Sequence, residues 1–165
     1  MAPSPASVPA SGAAAEPAPE PNIGRNGLLL GIELGVARGL GDAESFGITE
    51  LSGQAGWASH GRAALFATGS VGILGASEAG VFASFGVGAR IFAGRAFLDL
   101  RVERMRVVAV ECEEDCSSLG VNRFTGGIGV DAVRGPHGGM QLAFKVTHLA
   151  EVTGALLSIG GYVDL

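Results

Sequence analysis

Residues 81–103 read VFASFGVGARIFAGRAFLDLRVE, and the fold turns on how this stretch is parsed. Val81, Ala83, Phe85, Val87, Ala89 and Ile91 alternate with Phe82, Ser84, Gly86, Gly88 and Arg90. After an interruption at Gly94 and Arg95, Ala96, Leu98, Leu100 and Val102 alternate with Phe97, Asp99, Arg101 and Glu103. Successive side chains of a strand point to opposite faces, so a period of two marks two β-strands with one apolar and one mixed face. The Gly94-Arg95 pair predicts a two-residue hairpin. Such a turn sets the register: Ala93 faces Ala96, Arg90 faces Asp99, Gly88 faces Arg101 and Gly86 faces Glu103. Opposite charges then meet across the strands, and the glycines leave room for long side chains. A glycine-rich membrane helix hairpin over residues 63–94 is the competing parse. It fails on the period and on the ~1 kcal/mol that each interior helical glycine costs.

The same alternation continues on both sides of this hairpin. Leu28, Leu30, Ile32, Leu34 and Val36 share one face, against Gly27, Leu29, Gly31, Glu33 and Gly35. Leu51 to Trp57 and Leu65 to Ile73 follow the rule, with Glu50, Ser52, Gln54, Phe66, Thr68 and Ser70 on the mixed face. Beyond the hairpin come Phe124 to Ala132, Met140 to Val146 and Leu157 to Leu165, whose mixed faces carry Asp131, Lys145 and Tyr162. Eight strands are thus expected between residues 26 and 165. Short turns are expected at His60-Gly61-Arg62, Gly94-Arg95 and Pro136-His137-Gly138. Long connections are expected from Arg38 to Thr49, Leu74 to Gly80, Arg104 to Arg123 and His148 to Gly154. Short and long connections in rotation predict an all-β, antiparallel up-and-down barrel with both termini at the short-turn end.

Alternation alone does not say which face meets solvent, because a soluble barrel binding a small ligand would show it too. Side-chain size decides. The mixed face is crowded with glycine and carries few charges of both signs, which suits the narrow interior of an eight-stranded barrel. Glu33, Arg90, Asp99, Arg101, Glu103, Asp131 and Lys145 fall on that face, where they must pair. The apolar face runs roughly 9 to 11 residues per strand, enough for a tilted strand to cross the hydrocarbon layer. Its exceptions, Arg38, Arg104, Arg106 and Arg134, lie near strand ends, where they can meet lipid headgroups.

A length of 165 residues suits one domain, and 11 basic against 16 acidic residues leave a net charge of −5 without a basic stripe. Nucleic acid is therefore not an expected partner. Residues 1–25 are dominated by Ala, Pro and Ser and are expected to form a disordered tail or linker. They contain no charged segment followed by an apolar one, so a secretion signal is expected to have been removed already. Cys112 and Cys116 lie in a hydrophilic stretch and predict a loop-stiffening disulfide in an oxidising compartment. Two thiols with no neighbouring His make a poor zinc set, and neither metal nor cofactor is expected. Around them Glu111, Glu113, Glu114 and Asp115 form an acidic cluster suited to divalent cations or a basic partner.

With eight alternating segments, turns of alternating length and an alternating last strand, the chain resembles the OmpA/OmpX-like family of small outer-membrane barrels over residues 27–165. Family members commonly end in an aromatic residue read by the assembly machinery. Leu165 takes that place here, with Val163, Gly161 and Ile159 continuing the alternation. The family's aromatic girdles have Trp57, Phe85, Phe124 and Phe144 as outward candidates. The resemblance implies a monomer in the outer membrane of a Gram-negative bacterium, in contact with membrane lipid, lipopolysaccharide and the barrel-assembly machinery. It also implies a non-enzymatic structural or adhesion-type role through the outer loops and their extracellular partners. An outer-membrane lipid-modifying enzyme is the alternative, and it would need a base beside a nucleophile near the rim. His148, with Thr147, Thr153 or Ser158, is the nearest approach to such a pair. A pore is not expected of eight strands around a charge-filled lumen.

Overall fold

Gly94 adopts φ = 65°, the left-handed backbone that the two-residue hairpin needs, and the register around it is the expected one. Arg90 lies opposite Asp99, Gly88 opposite Arg101 and Gly86 opposite Glu103. The structure, a computed structural model, describes residues 26–40, 46–75, 80–109 and 119–165. The tail 1–25, the bridge expected between Cys112 and Cys116, and the acidic cluster Glu111, Glu113, Glu114 and Asp115 lie outside the described residues.

The strands are β1 (Gly27–Leu40), β2 (Gly47–Ser59), β3 (Ala63–Gly75), β4 (Gly80–Ala93), β5 (Ala96–Ala109), β6 (Leu119–Gly135), β7 (Gly138–Leu149) and β8 (Val152–Asp164). They form a closed barrel in sequence order, every neighbour antiparallel, with β8 paired to β1. Closure leaves no strand edge with unpaired backbone groups, as hydrocarbon demands. At the short-turn end each turn is tied to the strand beyond the hairpin it closes, β4, β6 or β8. The carbonyls of Arg62, Arg95 and His137 accept from the backbone N–H of Phe92 at 2.8 Å, Asp131 at 2.8 Å and Asp164 at 3.1 Å.

Three expected boundaries are corrected. The β7–β8 connection is not a long loop from His148 to Gly154 but the two-residue turn Ala150-Glu151. Ala150 takes φ = 51° there, a conformation that glycine or asparagine would have announced. Strands β5 and β6 extend beyond Arg104 and Phe124, where the pattern reverses: Arg104, Arg106 and Asn122 face out while Met105, Val107 and Val121 face the lumen, so the apolar outer face that marks the strand is lost. Strand β6 has a bulge between Asp131 and Val133 that turns both Ala132 and Val133 outward, breaking the simple alternation.

The two faces are inverted relative to a soluble barrel. Leu65, Phe85, Val87, Ile128 and Leu157 are exposed on the outside, each by 65% or more. All eight strands contribute exposed apolar side chains, while the charged groups of their central parts are buried inside. A continuous apolar outer belt over a polar interior is the surface of a transmembrane barrel. Trp57, Phe85, Phe124 and Phe144 face outward, but Phe46, Phe66, Phe82, Phe92, Phe97 and Tyr162 are buried in the lumen. Most of the scarce aromatic bulk therefore fills the interior.

The lumen is layered along its length. Leu29, Ala58, Ala64, Phe92, Phe97 and Tyr162 pack at the short-turn end. Ala37, Phe46, Ile48, Phe82, Met105 and Leu156 pack at the loop end, with Leu74, Val107 and Leu149 against them. Charged side chains occupy the space between.

Candidate functional site

Arg101, from the centre of β5, reaches across the lumen to β1, where its Nη2 donates to Glu33 Oε2 at 2.6 Å. Its Nε donates to Asp99 Oδ1 at 2.8 Å. Asp99 also accepts from Arg90 Nε at 2.9 Å, and Lys145 of β7 donates its Nζ to Glu33. Arg90 completes its fork on two amides, Gln141 Oε1 at 2.7 Å and Gln54 Oε1 at 3.3 Å. Gln141 Nε2 in turn donates to Asp131 Oδ1 at 3.1 Å. The Arg90 guanidinium sits 4.5 Å from the Phe97 ring centroid, so the apolar layer touches the charge layer directly. Three carboxylates and three cations are thereby linked across β1, β4, β5, β6 and β7.

A second group lies nearer the loop end. Arg123 of β6 donates its Nε to Glu103 Oε2 at 2.8 Å and its Nη1 to Glu50 of β2. Thr68 and Ser84 each donate to Glu103 Oε1 at 3.4 Å, and Ser70 and Ser84 share a hydrogen bond of 2.6 Å. The Arg123 guanidinium lies 5.8 Å from the Phe82 ring centroid.

All seven charged residues read from the alternation lie buried in the lumen. Glu33, Arg90, Asp99, Arg101, Lys145 and Asp131 belong to the first group and Glu103 to the second. Glu50 and Arg123 were missed. Their parity was visible, since Glu50 shares a face with Ser52 and Gln54, and Arg123 shares one with Thr125. Glu50 was read on the mixed face of the second strand but left out of the charge set, and Arg123 was hidden by its place in the connection from Arg104 to Arg123. Glycine makes these pairs possible sterically. A Cβ on Gly86 or Gly127 would collide with the backbone and side chain of Glu103 or Lys145, which lie opposite. Buried ions need such near-complete pairing, because each charge removed from water costs several kcal/mol.

The His148 neighbourhood is divided between the two faces. His148 points outward and shares a 3.1 Å hydrogen bond through Nδ1 with Thr153 Oγ1. Thr147 points inward and bonds Thr125 at 3.2 Å, and Ser158 is also buried in the lumen. The four side chains therefore do not converge. Among the described residues no group of three His, Cys, Asp or Glu side chains is placed to hold a metal ion.

Outside, the apolar belt ends at the loop side in a polar collar of Arg38 on β1, Arg104 and Arg106 on β5, Asn122 on β6 and His148 on β7. Arg104 stands nine positions beyond the Gly94-Arg95 turn. At ~3.3 Å per residue and a tilt of ~40°, that is roughly 23 Å, close to the ~25 Å height of a barrel's apolar band.

No family profile and no curated protein sequence matches the chain. Solved structures do. Neisserial surface protein A is similar with a TM-score of 0.63 at 14% identity, over 84% of this chain and 97% of that one. The N-terminal β-barrel domain of Pseudomonas aeruginosa OprF has a TM-score of 0.53 at 12% identity, over 84% and 98%. Ail, the attachment invasion locus protein of Yersinia pestis, gives 0.53 at 12%, over 84% and 98%. Closed topology, inverted faces and these similarities agree: the chain has the fold of the small eight-stranded transmembrane barrels of outer membranes, the OmpA/OmpX-like architecture.

Proposed function

We propose that this protein is a non-enzymatic outer-membrane barrel of a Gram-negative bacterium, whose filled lumen conducts no large solute and whose loop end meets partners outside the cell. The layered lumen carries the proposal: ion pairs spanning the interior lie between an apolar layer at each end. A water-filled pore would leave such groups hydrated and such aromatics apart. The barrel thus serves as an anchor and a rigid platform, monomeric because closure satisfies every strand edge. Partner choice falls to the connections at the loop end. The stretch Glu111, Glu113, Glu114 and Asp115 between β5 and β6 suits a cationic partner or a divalent cation. An adhesion-type role is in keeping with the similarity to Ail, which has also been solved in complex with the heparin analogue sucrose octasulfate.

The decisive measurement is conductance in planar bilayers, using protein whose migration on a gel shifts on heating. Bilayers carrying the folded barrel should show no large stable conductance step. A steady open level would overturn the filled-lumen reading.

A further inference from the structure

The two charge groups of the lumen differ in their balance. The first sets three carboxylates against three cations, whereas in the second Glu50 and Glu103 share the single guanidinium of Arg123. Each of these three residues is 2% exposed, so the second group encloses one negative charge in excess. Among the described residues no further cation reaches it: Arg38, Arg104 and Arg106 project outward, and Arg62, Arg95 and Arg134 belong to the short-turn end. The loop-end stretches 41–45, 76–79 and 110–118 hold seven acidic residues and no Lys, Arg or His. A buried charge left unpaired is strongly destabilising. The group therefore calls for a positive charge that the chain does not supply.

The oxygens around Glu103 specify what carries that charge. Arg123 occupies Glu103 Oε2 through Nε and Nη2, and Glu50 Oε2 through Nη1. Glu103 Oε1 is left facing Thr68 Oγ1 of β3 and Ser84 Oγ of β4, each at 3.4 Å. A hydroxyl donating to a carboxylate, or a carboxylic acid donating to a hydroxyl, closes to ~2.5–3.0 Å. The wider spacing matches the ~3.4 Å that separates oxygens holding one cation at right angles, each ~2.4 Å from it. Ser84 Oγ lies 2.6 Å from Ser70 Oγ, which can accept its proton and so turn the Ser84 lone pairs to the same point. Gly86 stands between Thr68 and Glu103 in the register and puts no side chain into the gap. All these donors are hard oxygens and the deficit is a single charge, which suits a small monovalent cation; a divalent ion would leave an excess positive charge instead. We propose that Glu103 Oε1, Thr68 Oγ1 and Ser84 Oγ bind a sodium ion inside the lumen, with Glu50 and Arg123 completing its charge balance. Met105, opposite Ser84, belongs to the loop-end apolar layer and closes the site on that side, so the ion is held as a counter-charge and not conducted. The site rests on a filled lumen, whose failure the conductance measurement reports separately.

The test is urea unfolding of the full chain in nonionic detergent, read by loss of the heat-modifiable band, with sodium replaced stepwise by tetramethylammonium at fixed ionic strength. Tetramethylammonium screens charge equally but is too large for the site. An ion bound only by the folded barrel raises the folding constant in proportion to its concentration above Kd, so wild type should gain about tenfold for each tenfold rise in sodium. E103Q removes both the excess charge and a ligand. It should lose the sodium dependence and, in tetramethylammonium, be at least as stable as wild type. T68V/S84A keeps every charge and should cut the gain to under about threefold, while R62Q at the opposite end should keep it in full. Where E103Q fails to form the heat-modifiable band, T68V/S84A decides. A wild-type gain below about twofold per tenfold sodium overturns the site, as does an undiminished gain in either variant. A wild type indifferent to sodium whose folding constant instead changes about tenfold per pH unit near neutrality takes up a proton, and that result overturns the proposal as well.

Discussion

Arg101 and Arg104 stand three residues apart on β5 and live in opposite worlds. Arg101 points inward, is 4% exposed and divides its donors between Glu33 and Asp99. Arg104 points outward, is exposed and meets one neutral partner, Asn122. Odd spacing puts the two on different faces, and that parity sets the energetics. The inner arginine is held by desolvated carboxylates whose loss nothing else can offset. The outer one sits at a boundary where water and headgroups solvate it, and its removal costs the fold little.

The comparison breaks most severely at Asp99, which bonds both Arg90 and Arg101. Asp99→Ala leaves two buried guanidinium groups short of a carboxylate and should cost about 3–5 kcal/mol. Urea unfolding followed by loss of the heat-modifiable band measures it, and a loss under about 1 kcal/mol would show that the network is hydrated. The next largest effect belongs to the lipid face. Leu100, five positions beyond the Gly94-Arg95 turn, lies near the middle of the belt, so Leu100→Arg should cost about 2–4 kcal/mol in the same assay. Equal stability of this variant would place the belt elsewhere or in water. The smallest effect is expected at the collar, where Arg104→Gln should change stability by no more than about 0.5 kcal/mol. A larger destabilisation would mean that Arg104 is held by the protein itself and not by its surroundings.

Much of this was legible in the order of residues. Strand count, the two faces and the Arg90–Asp99 pairing follow from period-two alternation and from one Gly-Arg turn, because the pleat leaves a side chain only two directions. Glycines opposite Arg101 and Glu103 signalled where long side chains would need space. Local signals failed where the outer face stops being apolar. At the loop end β5 carries Arg104 and Arg106 outside with Met105 and Val107 inside, and β6 carries Asn122 outside with Val121 and Arg123 inside, so the apolar outer face that marks a strand lower down is missing there. The Ala150-Glu151 turn was equally silent, since its left-handed residue is an alanine.

The sequence by itself determined the face on which each charge sits and the neighbour it meets across a single hairpin. Only closure of the barrel decided which charges meet across the lumen. Glu33 is 68 residues from Arg101 and 112 from Lys145, and no turn or periodicity relates them. They touch because pairing β8 with β1 curls the sheet until β5 and β7 face β1 over a space only a side chain wide, and in that space a buried carboxylate finds its cations or the barrel does not form.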